Sequence, residues 1–220
     1  MTISDEMNDA IQFAISKIQA RDKAFCSCMN DCIEEALKNL QKYLWHYGSH
    51  ERCYIFIYFF ENKYFDNNKP DIFWRALHES WSLFDAIPHD EFRELFAIKR
   101  KDWKSSLLMP DDLIFYNSLP ETFEAYRGTD ANAQHKDGLS WTIDREVAEA
   151  FAHGHRVLLN KNPIILTATI NKRDIVGAYN SRNEHEIVLF DPPTPHHVEQ
   201  RPPGKLGPSG LQSPKRTATP

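Results

Sequence analysis

The sequence lacks the features that define several common classes of protein. No apolar run approaches the ~18 residues that a membrane-spanning helix needs, and the longest, CYIFIYFF at residues 53–60, has only the length of a strand. The first ten residues, MTISDEMNDA, are acidic, whereas a secretory signal begins with basic residues and continues with an apolar segment. These absences predict a cytoplasmic protein that does not associate with a membrane.

Motifs for common cofactors and metals are also missing. There is no GxGxxG turn, no GxxxxGK[ST] loop, no HExxH and no GxSxG, which excludes the usual Rossmann, P-loop, zinc-protease and serine-hydrolase sites. The four cysteines (Cys26, Cys28, Cys32 and Cys53) form no CxxC pair and have no histidine at zinc-ligand spacing. We therefore expect reduced structural thiols and no metal.

Positive charge is not in excess either. Lysine and arginine number 26 against 31 acidic residues, for a net charge of −5. A broad basic surface is the usual sign of a nucleic-acid binder, so tight non-specific binding is not expected. A nucleic acid as the substrate of a reaction is still compatible with this composition.

Helical and strand-like patterns both occur, and they follow one another along the chain. Apolar residues recur at helical spacing in four segments of the first half and one of the second, at residues 4–18, 30–44, 71–84, 89–103 and 144–151. Short β-like stretches surround the last of these, at residues 125–127, 164–170 and 186–190. Residues 53–60 fit a buried strand or a buried helix, and we favour a strand. The order predicts an α+β fold.

The last 28 residues differ from the rest. Residues 193–220 are rich in proline, glycine and polar side chains and hold too little apolar surface to offset the entropy of ordering them. We expect a disordered tail whose mild basicity serves solubility or contact with a partner.

Three short segments remain that could carry chemistry. They are YRG at residues 126–128, GLSWT at residues 138–142 and an ExE pair, Glu184 and Glu186, at the start of the stretch EIVLF. Between the second and the third lies the helical segment DREVAEAFA. In this order and spacing they resemble the arginine/serine/glutamate class of ADP-ribosyltransferases, especially its small bacterial and phage-associated members.

The resemblance implies a fold, a boundary and a reaction. The fold would be a split, mixed β-sheet in a catalytic domain at residues 71–192, with a helical region of unclear role at residues 1–70. The reaction would be the transfer of ADP-ribose from NAD, as a cosubstrate and without a metal, to a macromolecule. The acceptor would be a protein arginine or a nucleic acid, and small members of the family look like toxins of toxin–antitoxin, phage-defence or phage–host systems. An antitoxin or other inhibitory partner would then exist.

The two glutamates have a chemical rationale of their own. Breaking the bond between nicotinamide and ribose develops an oxocarbenium-like centre, which a carboxylate beside the sugar stabilises. Residues two apart on a strand share a face, so Glu184 and Glu186 are expected to project into one cleft. By resemblance, Glu186 would bind the ribose hydroxyl and drive cleavage, and Glu184 would orient or deprotonate the acceptor.

The other segments would bind NAD. Arg127 has a rigid fork suited to phosphate or ribose oxygens, and Gly128 would allow the backbone to approach the ligand closely. By resemblance, Ser140 would hold the glutamate and ribose in register, with Thr142 supporting that loop. Trp141 stands where many relatives carry a smaller residue, and it is assigned to the cofactor site or to the core.

The acceptor would be recognised just before the ExE pair. By resemblance, the residues that carry this role are Tyr179, Asn180 and Arg182, and the Tyr179 ring is suited to stacking on a target side chain or base.

Each residue also has a purely structural interpretation. Arg127 could form a surface ion pair, Ser140 could cap the helix ahead of Asp144, and the glutamates could line a solvated strand face. A fold of this kind could also serve as a non-catalytic binding module, or hydrolyse NAD with water as the acceptor. The joint pattern favours the transferase.

Overall fold

A computed structural model describes residues 33–61, 70–85, 87–155, 158–180 and 184–203. The chain divides into two compact units, residues 1–109 and residues 110–220, here called unit 1 and unit 2. Helices and an antiparallel sheet give the α+β class that the sequence predicts. The helix predicted at residues 4–18 and the start of the one predicted from residue 30 lie outside the described residues.

The regular secondary structure of unit 1 is entirely helical within its described residues. Its helices are α1 (Ile33–Leu44), α2 (Arg52–Glu61), α3 (Pro70–Ser80) and α4 (His89–Lys99), with short 3-10 turns at Trp81–Leu83, Arg100–Asp102 and Ser105–Leu107. Leu37, Leu40 and Leu44 form the buried stripe of α1, as their spacing predicts. Within the described residues, no helix has both the length and the apolar character needed to cross a membrane.

The segment CYIFIYFF is helical, so the favoured strand interpretation is wrong. In α2 the side chains of Cys53, Phe56 and Phe59 are buried, whereas Tyr54 and Tyr58, four residues apart, are exposed. Burial therefore follows the helical period. The sequence concealed this period because both the buried and the exposed positions carry apolar or aromatic residues.

Aromatic side chains form the core of unit 1. The ring centroid of Trp74 on α3 lies 5.6 Å from that of Phe96 on α4, and the Trp81 ring lies 5.5 Å from that of Phe92. The Trp74 indole donates a hydrogen bond of 3.2 Å to the carbonyl of Lys99. The helices predicted at residues 71–84 and 89–103 are thus present and pack together.

Unit 2 begins with a helix and continues as a sheet. Helix α5 spans Pro110–Ser118 and helix α6 spans Arg145–His153. The strands are β1 (Thr122–Asp130), β2 (Ser140–Thr142), β3 (Gly154–His155), β4 (Leu158–Leu159), β5 (Pro163–Asn171), β6 (Ile175–Tyr179), β7 (Glu186–Leu189) and β8 (His197–Gln200). Six of them form one sheet in the order β6-β7-β2-β1-β5-β8, and β3 pairs with β4.

The strand pairing differs from the implied one. Every described strand pair is antiparallel, whereas the resemblance implies a split, mixed sheet. The division of the chain follows Met109, so the helices of residues 71–103 belong to unit 1 and not with the sheet. The aromatic contacts that join α3 to α4 account for this grouping.

The two faces of the sheet are covered by different helices. On one face Trp141, Leu166 and Ile187 form a core with Phe115 of α5 and with Leu119, which follows the end of that helix. On the other face Ala148 and Ala152 of α6 pack against Ile165 and Tyr126. Because side chains alternate along a strand, neighbouring residues of β1 and β5 serve opposite faces.

The tail predicted to be disordered from residue 193 contains an edge strand, so the predicted start of the disorder is wrong. His197–Gln200 is β8, paired with β5, and Arg201 lies beside it. The Arg201 guanidinium donates to the Glu149 carboxylate of α6 at 2.6 Å, and Arg145 of α6 contacts Glu199. Backbone pairing and these ion pairs provide the ordering that apolar content alone does not predict. Residues 204–220 lie outside the described residues.

Candidate active site

A serine hydroxyl and a glutamate carboxylate meet on neighbouring strands. Ser140 on β2 donates a hydrogen bond from Oγ to Oε1 of Glu186 on β7, at 2.5 Å. The register pairs Thr142 with Glu186 and Ser140 with Val188, so the serine and the glutamate are diagonal neighbours on one face. Both side chains are half-buried, which keeps the pair within reach of a ligand.

Thr142 extends this contact to the segment before Glu186. Its hydroxyl donates to the backbone carbonyl of Glu184 at 2.6 Å and accepts the backbone N–H of Asp144 at 3.0 Å. Both of its hydrogen-bonding capacities are therefore used, as a buried hydroxyl requires. Alternate residues of β2 thus hold both ends of the ExE segment.

Asp144, and not Ser140, caps the helix that follows. Its carboxylate accepts the Glu146 N–H at the start of α6 and lies 3.9 Å from Nδ1 of His185. The structural interpretation of Ser140 as a helix cap is accordingly wrong, since its hydroxyl is directed to Glu186.

Glu184 does not lie on the strand with Glu186. Strand β7 begins at Glu186, and His185 has φ of 44°, a left-handed conformation that non-glycine residues adopt rarely. The alternation rule that was expected to place both glutamates on one face therefore fails here. The unusual backbone also places a strained residue directly beside the candidate catalytic carboxylate.

Arg127 connects β1 to the segment that carries Ser140. Its Nη1 donates to the carbonyl of Ser140 at 2.6 Å and its Nε donates to the carbonyl of Lys136 at 2.8 Å. These backbone partners replace the surface ion pair that was its structural interpretation. Burial lowers the pKa of the guanidinium to about 10, against the opposing effect of Glu186 and Asp137, so Arg127 stays positively charged at neutral pH.

Gly128 serves the packing of a helix. A Cβ at this position would lie 1.8 Å from the carbonyl oxygen of Ala148 and 2.3 Å from the backbone nitrogen of Ala152, both on α6. The close approach predicted for a ligand is thus made by the chain's own helix. Only glycine leaves room for it.

Trp141 belongs to the core. It is 2% exposed, its indole donates to the carbonyl of Gly138 at 2.8 Å, and it packs with Ile187 and Leu166. Its neighbours Ser140 and Thr142 face the opposite side of the strand, so Trp141 is turned away from Glu186. Its assignment to the cofactor site is therefore corrected.

The predicted acceptor residues differ in exposure. Tyr179 is the last residue of β6, the direct partner of Glu186 in the register, and only 6% exposed, so its ring is not presented for stacking. Asn180 follows it and is exposed. Arg182 lies outside the described residues.

Sequence analysis missed one acidic residue at this site. Asp112, in the first turn of α5, is 7% exposed and accepts the backbone N–H of Asn180 on its Oδ1 at 3.1 Å. Acidic residues are common at helix starts, so the sequence MPDD gave no reason to single it out. Its burial is what distinguishes it from Asp111, which is exposed.

Comparison of the chain with protein-family models, with curated proteins and with solved structures finds no match. The site is therefore interpreted from its own geometry. Among the residues that the structure describes, no group of three or more histidine, cysteine or acidic side chains is arranged to hold a metal ion.

Proposed function

We propose that the chain is a mono-ADP-ribosyltransferase that cleaves NAD and transfers ADP-ribose to a macromolecule. The single observation that carries this proposal is the 2.5 Å hydrogen bond between Ser140 and Glu186, joined to Arg127 through the Ser140 carbonyl. Arg127 and Ser140 lie 13 positions apart in the sequence, and Ser140 and Glu186 lie 46 positions apart. Capping and surface solvation give no reason for them to converge.

In the proposed reaction the bond between ribose C1′ and the nicotinamide nitrogen breaks, and its electron pair remains on nicotinamide. The ribose becomes oxocarbenium-like, and the Glu186 carboxylate stabilises the positive charge that develops. Ser140 fixes one carboxylate oxygen through its hydrogen bond, and we propose that the carboxylate so held lies beside the ribose. The charge of Arg127 favours the ionised form of Glu186.

Transfer is completed when an acceptor atom bonds to C1′ and loses its proton. Glu184 is proposed as the residue that orients the acceptor or takes this proton. Its backbone carbonyl is held by Thr142, so its position relative to Glu186 is fixed at the main chain. A protein arginine and a nucleic acid are both acceptors that this chemistry allows, and a role as a toxin or effector in a toxin–antitoxin, phage-defence or phage–host system, with an inhibitory partner, belongs to the same proposal.

The test is incubation of the full chain with NAD labelled in the ADP-ribose part and with cell lysate, followed by digestion with protease or nuclease. Label released only by protease identifies a protein acceptor, and label released only by nuclease identifies a nucleic acid. Free ADP-ribose alone would instead indicate NAD hydrolysis. Absence of any nicotinamide release would favour a non-catalytic binding module and overturn the proposal.

Glu184→Gln separates the two steps. It should reduce transfer more than hydrolysis, because water does not depend on an oriented base to the same extent. Equal loss of both reactions would remove the separate role proposed for Glu184.

A further inference from the structure

Asp112 connects helix α5 to the strand beside Glu186. Its carboxylate accepts the Asn180 N–H at 3.1 Å, directly after Tyr179 ends β6. Tyr179 is in turn the register partner of Glu186 on β7. One buried carboxylate thus fixes the end of the strand that lies against the candidate catalytic residue.

The Tyr179 side chain is fixed in the same place. A Cβ on Gly177 would lie 2.7 Å from both the hydroxyl oxygen and Cε2 of Tyr179, so the ring lies directly over that glycine. Burial raises the pKa of Tyr179 well above its usual value, and the charges of Glu186 and Asp112 raise it further. A neutral phenol therefore lies within the influence of both carboxylates.

Helix α5 also contacts the other end of the segment that joins β6 to β7. One turn after Asp112, the ring of Phe115 lies 5.7 Å from the ring of His185. Asp112 therefore contacts Asn180, just after β6, and Phe115 contacts His185, just before Glu186. Asp111, next to Asp112 in the chain, is exposed, as is usual for an acidic residue in the first turn of a helix.

We propose that Asp112 is a positioning residue for Glu186, because Asp112 fixes the end of β6 through Asn180. The charge of Asp112 also sets the lowest pH at which the enzyme remains active. This inference rests on the proposed function. The groups that face Asp112 are Asp111 on its own helix, Tyr179 and the Asn180 N–H at the end of β6, and Glu186 on β7. Glu186 is faced in addition by Ser140 and Arg127.

The electrostatic effect has a definite sign. Burial raises the pKa of Asp112; the Asn180 N–H opposes this rise, and the charges of Asp111 and Glu186 add to it. Repulsion between two carboxylates is reciprocal, so removing the charge of Asp112 makes Glu186 ionise more readily. Since the proposed cleavage uses ionised Glu186, the acid limb of the rate should move to lower pH.

The experiment measures nicotinamide release against pH for the full chain and three variants. Asp112→Asn keeps an oxygen that can accept the Asn180 N–H but removes the charge, and it should move the acid limb down by about half a pH unit. Asp112→Ala also removes the acceptor, and its maximal rate should fall about tenfold further. Asp111→Asn, the matched variant with the same change in net charge, should move the acid limb much less, because Asp111 is exposed and solvent screens its charge. Coincident profiles for Asp112→Asn and Asp111→Asn would overturn the inference.

A second measurement needs neither activity nor a variant. Carbon-13 NMR of the carboxyl groups in the wild-type protein should show that the titration curve of Glu186 is broadened over the pH range in which Asp112 titrates, because the two carboxylates interact. A single step for Glu186, unaffected by the titration of Asp112, would overturn the inference. The NMR titration can be carried out even if Asp112→Asn fails to fold. It can also be carried out if wild-type protein releases no nicotinamide, in which case the proposed function itself fails.

Discussion

Unit 1 and unit 2 treat their buried polar side chains differently. In unit 1, His78 is 4% exposed, and the rings of Trp74 and Trp103 lie with their centroids 6.3 Å from its own. In unit 2, buried Asp112 and Thr142 each bind the backbone beside β7, at Asn180 and at Glu184. Buried His78 in unit 1 thus lies between aromatic rings, whereas buried Asp112 and Thr142 in unit 2 hold the backbone at Asn180 and Glu184, ahead of Glu186.

The difference indicates where each unit is sensitive to substitution. Tight aromatic packing makes unit 1 sensitive to lost volume, because a cavity left in a close-packed core is only partly refilled. In unit 2 the candidate chemistry depends on the direction of a few hydrogen bonds. Changes in unit 1 should therefore appear as stability, and changes at the site of unit 2 should appear as rate.

The largest stability effect is expected at Trp74. Trp74→Ala removes a side chain with no exposed surface and should lower the free energy of unfolding by about 3–5 kcal/mol, measured by urea denaturation. Trp45→Ala is the control, since Trp45 is 62% exposed and should cost below about 1 kcal/mol. Nicotinamide release per folded molecule should not change. A lower rate at full folding would break the comparison.

Gly128→Ala tests the packing of α6 on the sheet. The added methyl group would overlap the backbone of Ala148 and Ala152, and we expect a loss of about 1–3 kcal/mol of unfolding free energy. Gly48→Ala is the matched control, because the nearest atom to its Cβ is the flexible carboxylate of Glu51 at 3.2 Å. Equal melting temperatures for the two variants would show that Gly128 is not needed for helix packing.

Ser140→Ala tests whether a change at the site of unit 2 affects rate rather than stability. It removes the donor to Glu186, and a hydrogen bond to a charged group corresponds to about 10- to 100-fold in kcat/KM for NAD. Ser118→Ala, which removes a hydroxyl bonded to the Phe115 carbonyl, should leave the rate unchanged. If Ser140→Ala lowers the melting temperature sharply but not the rate of folded protein, its role is structural.

The effect that is smallest near neutral pH concerns His78 in unit 1, and it grows as the pH falls. Burial lowers the pKa of His78 to about 3, below the ~6.5 of an unfolded chain. Above pH 6.5 both states are neutral there; below it the unfolded chain binds a proton that the folded chain does not. Stability should fall by up to about 1.4 kcal/mol per pH unit between pH 6.5 and pH 3. His78→Gln should make the unfolding free energy, measured by urea titration, less dependent on pH by the equivalent of one proton. His46→Gln, at an exposed position, should not.

Much of the fold follows from local patterns. The helical spacing over residues 144–151 predicts α6, and the strands around residues 125–127, 164–170 and 186–190 appear where β-like composition predicts them. The sequence does not reveal helix α2, because the helix carries apolar or aromatic residues on its exposed side as well as on its buried side. The edge strand β8 was missed because pairing and ion pairs, which are non-local, order it.

The site divides in the same way. The meeting of Ser140 with Glu186 is what the resemblance to the arginine/serine/glutamate ADP-ribosyltransferases implies for these two residues. The reason for Gly128, the burial of Tyr179 and the presence of Asp112 depend on which helix covers which face, and no local pattern encodes this. The left-handed backbone at His185 is equally invisible to a rule that assumes regular strand alternation.

Nicotinamide release from NAD by purified wild-type protein and by Glu186→Gln tests the central claim most directly. The amide can still accept the Ser140 hydroxyl, so the fold and melting temperature should be retained, but it cannot supply the negative charge. We expect wild-type protein to release nicotinamide and the variant to lose about a thousandfold or more of that rate. Equal rates for the two proteins, or no release by the wild type, would contradict the assignment of Glu186 as the catalytic carboxylate.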